Sequence, residues 1–78
     1  MSRDLVITNN IRKLRFFANE MTQLELAERT GSSRSTIIAV EAGKYTPSLE
    51  LAFRIARVFS VPIGEVFECT DGKDGGGK

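Results

Sequence analysis

The side chains best placed to do chemistry in this sequence recognise rather than react. No histidine occurs among the 78 residues and Cys69 is the single thiol, which removes imidazole bases, internal disulfides and cysteine metal clusters. No nucleophile stands at a meaningful spacing from a base, so no catalysis and no cofactor is expected. What remains is a run of hydrogen-bonding groups, Ser33-Arg34-Ser35, followed by Ile38 and Ala39. On a helix starting near Arg34, residues 34, 35, 38 and 39 share one face. A guanidinium at the start of that face can reach two acceptors on a guanine edge, the commonest specific pairing with a base. Its plainer alternatives are a phosphate contact or a solvated charge. Ser35 and Ala39 are small and let the backbone come close. Ile38 either meets a thymine methyl or tucks sideways into the core. Gln23 and Ser33 stand at helix starts, beside unpaired N–H groups that suit a phosphate, although Ser33 equally serves as a cap alone. Thr22 and Thr36 join the expected phosphate contacts, as do Lys44 and Tyr45 just beyond the helix. Tyr45 has the alternative of a core edge.

The elements that must position these groups are legible from caps and periodicity. Residues 4–8, Asp-Leu-Val-Ile-Thr, are short and β-branched and predict a strand. Asn9 and Asn10 offer cap oxygens to a first helix over about 10–18, with Ile11, Leu14, Phe17 and Ala18 at helical spacing. Thr22-Gln-Leu-Glu25 is a capping box that opens a second helix over about 23–29, stopped by Gly31. Ser32 or Ser33 caps a third helix running to about Ala42 and ending at Gly43. Pro47 and then Ser48 introduce a fourth over 49–59, with Leu51, Ala52, Ile55, Ala56 and Phe59 as its buried stripe. Pro62 suits the first turn of a short fifth helix near 62–67. A β-like stretch over 66–70 follows, able to pair with residues 4–8.

Within this order, Ala27 lets the third helix cross the second closely and Gly31 permits the tight turn between them. Ile37 and Val40 turn one stripe inward, with Glu41 beside them. That arrangement is a helix-turn-helix over about 22–42, its second helix available to a major groove.

Composition bounds the rest. Hydrophobic residues make up 41% and charged residues 27%, as in an ordinary globular domain with one small core. Residues 1–60 hold nine bases against six acids, and residues 61–78 two against four. The body is mildly basic, which permits a polyanionic partner without requiring one. Residues 1–70 are expected to form one domain and 71–78, rich in glycine, a disordered tail. The N-terminal MSRDLVIT carries an acid where a signal peptide would be apolar, and no apolar run approaches membrane-spanning length. A cytoplasmic protein without membrane contact is expected.

The stretch Met21–Lys44, continued by Tyr45–Phe67, resembles the helix-turn-helix of the Cro/repressor-type regulators, and most closely their small stand-alone members. The resemblance spans residues 9 to 68. It implies an all-α, five-helix domain that binds operator DNA as a homodimer and regulates transcription, most simply as a repressor. In some short relatives the chain ends form a small antiparallel sheet, as read independently above. The resemblance also implies that Arg15 and Glu41 pair across the first and third helices, and that Gln23 contacts phosphate. No small-molecule ligand is implied.

The sequence departs from the family pattern at several points. The Arg15–Thr22 connection is one residue longer, which predicts an extra bend in the first helix. Ala42 replaces a frequent asparagine, and Leu24 stands where a polar residue is usual. Thr30 takes the place of an aliphatic and should weaken the core there. Of the adjacent Phe16 and Phe17, one should be more exposed than the other. Val61, Ile63, Val66 and Phe67 are more apolar groups than so short a monomer readily hides, and predict a twofold interface. A dimer would set two recognition helices about 34 Å apart and demand a palindromic operator. The rival reading is a protein-interaction module of the same fold, such as an antitoxin or co-regulator partner.

Overall fold

The computed structural model describes residues 5–71. In chain order these form β1 (Leu5–Asn9), α1 (Ile11–Phe17), α2 (Gln23–Thr30), α3 (Arg34–Glu41), α4 (Leu49–Phe59), α5 (Ile63–Val66) and β2 (Phe67–Asp71). The strands pair antiparallel, Leu5 opposite Asp71 and Asn9 opposite Phe67, so the two ends of the described chain lie together. Both strands run one residue later than the sequence suggested. The shift has a cause at Val66, which closes α5 and is fully buried, leaving Phe67 to begin the extended backbone. Asp71, assigned to the tail, is therefore part of β2. The rest of that tail lies outside the described residues.

Side-chain caps set most helix starts. The Thr22 hydroxyl accepts from the Glu25 N–H at 3.0 Å while the Glu25 carboxylate reaches back to Thr22 N. Ser33 accepts from Thr36 N and Ser48 from Leu51 N, each at 3.1 Å. Replacing Thr22 with alanine is expected to cost about 1 kcal/mol, read as a lower midpoint in thermal unfolding. At α1 the Asn9 carboxamide oxygen, not that of Asn10, accepts from Ile11 N. Pro62 is the cap of α5 rather than its first residue.

The extra residue before Thr22 does not bend α1. The helix ends at Phe17, and Asn19 and Glu20 then take left-handed backbone (φ 67° and 58°). The Arg15 carbonyl collects the N–H groups of Ala18 and Met21 across this reversal. Asparagine tolerates such a φ; Glu20 does so at a cost of about 1–2 kcal/mol.

Ile11, Leu26, Ile37, Ile55 and Val66 are completely buried and form the centre of the core, with Met21, Ala27, Val40 and Ala56 around them. Thr30 belongs to this core without weakening it by a stray polar group: its hydroxyl donates back to the Leu26 carbonyl at 2.9 Å. Two expectations are corrected. Phe17, placed on the inner stripe of α1, is 71% exposed, and Phe16 is exposed as well. At 3.6 residues per turn Phe17 lies roughly 120° around α1 from the buried Ile11, off the inner stripe, and the two rings meet edge to face outside. Val66, proposed for an intersubunit surface, has no exposed area to offer a partner. Val61, Ile63 and Phe67 are only partly buried against the core. Among the described residues no helix is long and apolar enough to cross a membrane.

Candidate nucleic-acid interface

The tight joint between α2 and α3 is built from small residues. Ala27 is buried on α2, and the Ser32 N–H returns to its carbonyl at 3.0 Å. Gly31 between them has φ 74°, where a side chain is strained. It also faces the Arg54 guanidinium, whose Nη1 would lie 3.3 Å from an added Cβ. That guanidinium donates to the Thr30 carbonyl at 3.2 Å and is itself held by Glu50 at 2.7 Å. An α4 side chain thus closes the end of α2, a role that no local pattern indicated.

Behind the joint lies a three-helix anchor. Arg15 Nη2 on α1 meets Glu41 Oε2 on α3 at 2.8 Å, and Nη1 donates to the Met21 carbonyl at the same distance. The second Glu41 oxygen accepts from Gln23 Nε2 of α2 at 3.2 Å. The Arg15–Glu41 pair implied by the resemblance is present, with side chains 17% and 11% exposed. Gln23 is fastened through one amide hydrogen, which leaves the other to point elsewhere.

With Ile37 and Val40 buried, α3 turns Arg34 and Ser35 to solvent. Ile38 stands between its two readings at 37% exposure, and Ala39 is half-buried. Ser33 is the cap of α3, its exposed hydroxyl also 2.9 Å from that of Thr36. Thr22 and Lys44 are exposed, and Tyr45 is exposed beside β1 and Pro47 instead of forming a core edge. Leu24, left open between exposure and unusual packing, is exposed. The structure thereby brings Thr22, Gln23 and Arg34 to one open groove, with Arg15 and Glu41 as its floor.

Arg12 also lines that groove, and a second, smaller one with Gln23, Ile38 and Ala42. It is exposed and forms no ion pair among the described residues. The signal that could have found it is its place three residues before Arg15, on the same face of α1. Its charge, unlike that of Arg15, is uncompensated.

A helix-turn-helix family model matches residues 11–66, five-sevenths of the chain. The chain belongs to the Cro/C1-type helix-turn-helix family. The matched segment runs from the first residue of α1 to the last of α5, so the terminal sheet of this Cro/C1-type protein lies outside it. Among its relatives is an uncharacterized HTH-type transcriptional regulator of Methanocaldococcus jannaschii, 51% identical over 57 residues, covering 70% of this chain and 86% of that one. The HTH-type regulator YgzD of Bacillus subtilis is 44% identical over 46 residues (59% and 70%). The cryptic phage CTXphi transcriptional repressor RstR of Vibrio cholerae is 33% identical over 61 residues, 78% of this chain but only 54% of RstR.

Proposed function

We propose that this protein binds double-stranded DNA sequence-specifically as a homodimer and regulates transcription, most simply as a repressor, with α3 in the major groove. The observation that carries the reading is the outward face of α3: Arg34 and Ser35 stand free in solvent while the opposite stripe is sunk in the core. Arg34, Ser35, Ile38 and Ala39 contact base edges. Thr22, Gln23, Ser33, Thr36, Lys44 and Tyr45 contact phosphates on either side, joined by Arg12. RstR, a named repressor, supports the regulatory sense. Val61, Ile63 and Phe67, apolar groups not fully hidden by the monomer, supply the twofold contact, and the operator is palindromic.

Phosphate contacts set affinity and base contacts set sequence. Binding to duplex DNA should therefore weaken steeply with salt, log affinity falling by about 0.9 for each phosphate neutralised per unit of log salt. Lys44→Ala is expected to lower that slope by about one such step and to weaken all sequences alike. Sites selected from random duplexes should reveal two half-sites about one helical turn apart. A purified chain that ignores duplex at low salt yet holds a protein partner would overturn the proposal in favour of an interaction module.

A further inference from the structure

Two adjacent asparagines at the β1–α1 junction tie together elements far apart in sequence. Asn9 ends β1 opposite Phe67, and its Oδ1 accepts from Ile11 N at 3.1 Å in the first turn of α1. Its Nδ2 donates to the Val40 carbonyl at 3.1 Å and the Glu41 carbonyl at 3.3 Å, both in the last turn of α3. Asn10 does the equivalent for α5: its N–H donates to the Val66 carbonyl at 2.8 Å and its Nδ2 to that of Glu65 at 2.9 Å.

The final carbonyls of a helix have no donor within it. In α3 the following chain serves three of them, Ala42 N donating to Ile38, Lys44 N to Ala39 and Gly43 N to Val40. The Glu41 carbonyl receives its hydrogen bond from the Asn9 amide. That amide also sets donor hydrogens at the negative end of the helix dipole, where they are favoured.

We infer that Asn9 is a positioning residue for DNA reading: by clamping the C-terminal end of α3 to the terminal sheet, it sets the tilt at which Arg34, Ser35 and Ile38 meet the bases. The inference rests on the DNA-binding reading of α3. Because α3 is only eight residues long, release of one end swings its whole outer face. Contacts of this kind must be held to about 0.5 Å. Thr22 and Ser33, the caps at the starts of α2 and α3, lie away from that end and keep their phosphate reach, whereas Gln23, held by Glu41, and Lys44, which follows α3, shift with it.

The test uses the full chain, a selected operator and a scrambled duplex. Asn9→Asp keeps the oxygen that caps Ile11 but turns a carboxylate oxygen, not a donor, toward the two carbonyls. Asn9→Ser keeps a short acceptor that cannot span to α3. Asn10→Ala removes only the side-chain link to α5. Both Asn9 variants are expected to lose about tenfold in operator affinity, while affinity for the scrambled duplex falls by much less. The backbone amides of Gly43 and Lys44 should exchange faster with solvent. Asn10→Ala should lower the unfolding midpoint and leave the operator-to-scrambled ratio alone. Equal losses on both duplexes, no loss on either, or failure of both Asn9 variants to fold would overturn the assignment, leaving Asn9 a matter of fold stability alone. A parental chain that binds neither duplex sinks the DNA reading itself, whereas amide exchange in α3 still reports on the clamp.

Discussion

Arg15→Ala is expected to lower the stability of the fold by about 3 kcal/mol and to weaken duplex binding, although Arg15 sits on the floor of the groove. Removing one partner of an enclosed ion pair leaves the other charge without compensation, a loss of about 3–5 kcal/mol. The lower figure applies here because both side chains keep some exposure, 17% and 11%. Two further losses accompany it. The Met21 carbonyl gives up a 2.8 Å donor, and Glu41, freed from Arg15, no longer holds Gln23 in a fixed place. For a domain of this size the midpoint of thermal unfolding should fall by about 12 °C or more. A second variant separates the structural part from the functional one. Arg15→Met combined with Glu41→Leu fills the same space with apolar atoms, and such replacements of ion pairs are often neutral or stabilising. The double variant should regain most of the lost stability, yet Gln23 has then lost the carboxylate that aims it. Thermal unfolding and duplex titration run in parallel should therefore diverge, with stability recovered and affinity still reduced. If affinity returned together with stability, the anchor would matter only for folding.

That anchor also marks the boundary of what the sequence makes legible. The caps at Thr22, Ser33 and Ser48 are local: each oxygen reaches an N–H three residues on, so residue type and spacing suffice to place them. The apolar stripe of α4 is similarly self-evident, because its period repeats over eleven residues. Phe17 shows where periodicity stops being enough. It follows Leu14 by three positions, but at 3.6 residues per turn it lies roughly 120° around α1 from the fully buried Ile11, on the flank of the stripe, and a helix of seven residues is too short for spacing alone to show that. Asn9 and Arg54 are illegible for a different reason. Their partners, 31 and 24 residues away, are backbone carbonyls, which carry no residue-type signature in the sequence. Val66 is buried in its own core, but by sequence an apolar residue in this stretch looks the same whether it fills its own core or a partner's. The Arg15–Glu41 pair, at a separation of 26 residues, was accessible only through resemblance.

The second large effect concerns Arg34, where local stability and the proposed function pull in opposite directions. Arg34 is the first residue of α3, the position at which a cation faces the positive end of the helix dipole. A charge there is disfavoured by about 0.3–1 kcal/mol, and Arg34 forms no ion pair among the described residues to offset it. Alanine at the same position removes that repulsion and propagates a helix well. Arg34→Ala should thus leave thermal stability unchanged or slightly raised. In DNA binding the same substitution is expected to remove about 1–3 kcal/mol of discrimination at a single base pair, because a guanidinium donates two parallel hydrogen bonds to one guanine edge. Arg34→Lys sharpens the argument: it keeps the charge but supplies a point donor in place of a planar fork. It should therefore retain the salt dependence of the parent while still losing preference at that one position. Sites selected from random duplexes by each variant, with salt titrations alongside, provide the comparison. A uniform loss across all sequences, with the salt slope lowered by about 0.9 in the alanine variant and restored in the lysine variant, would make Arg34 a phosphate contact and shift base reading to Ser35 and Ile38.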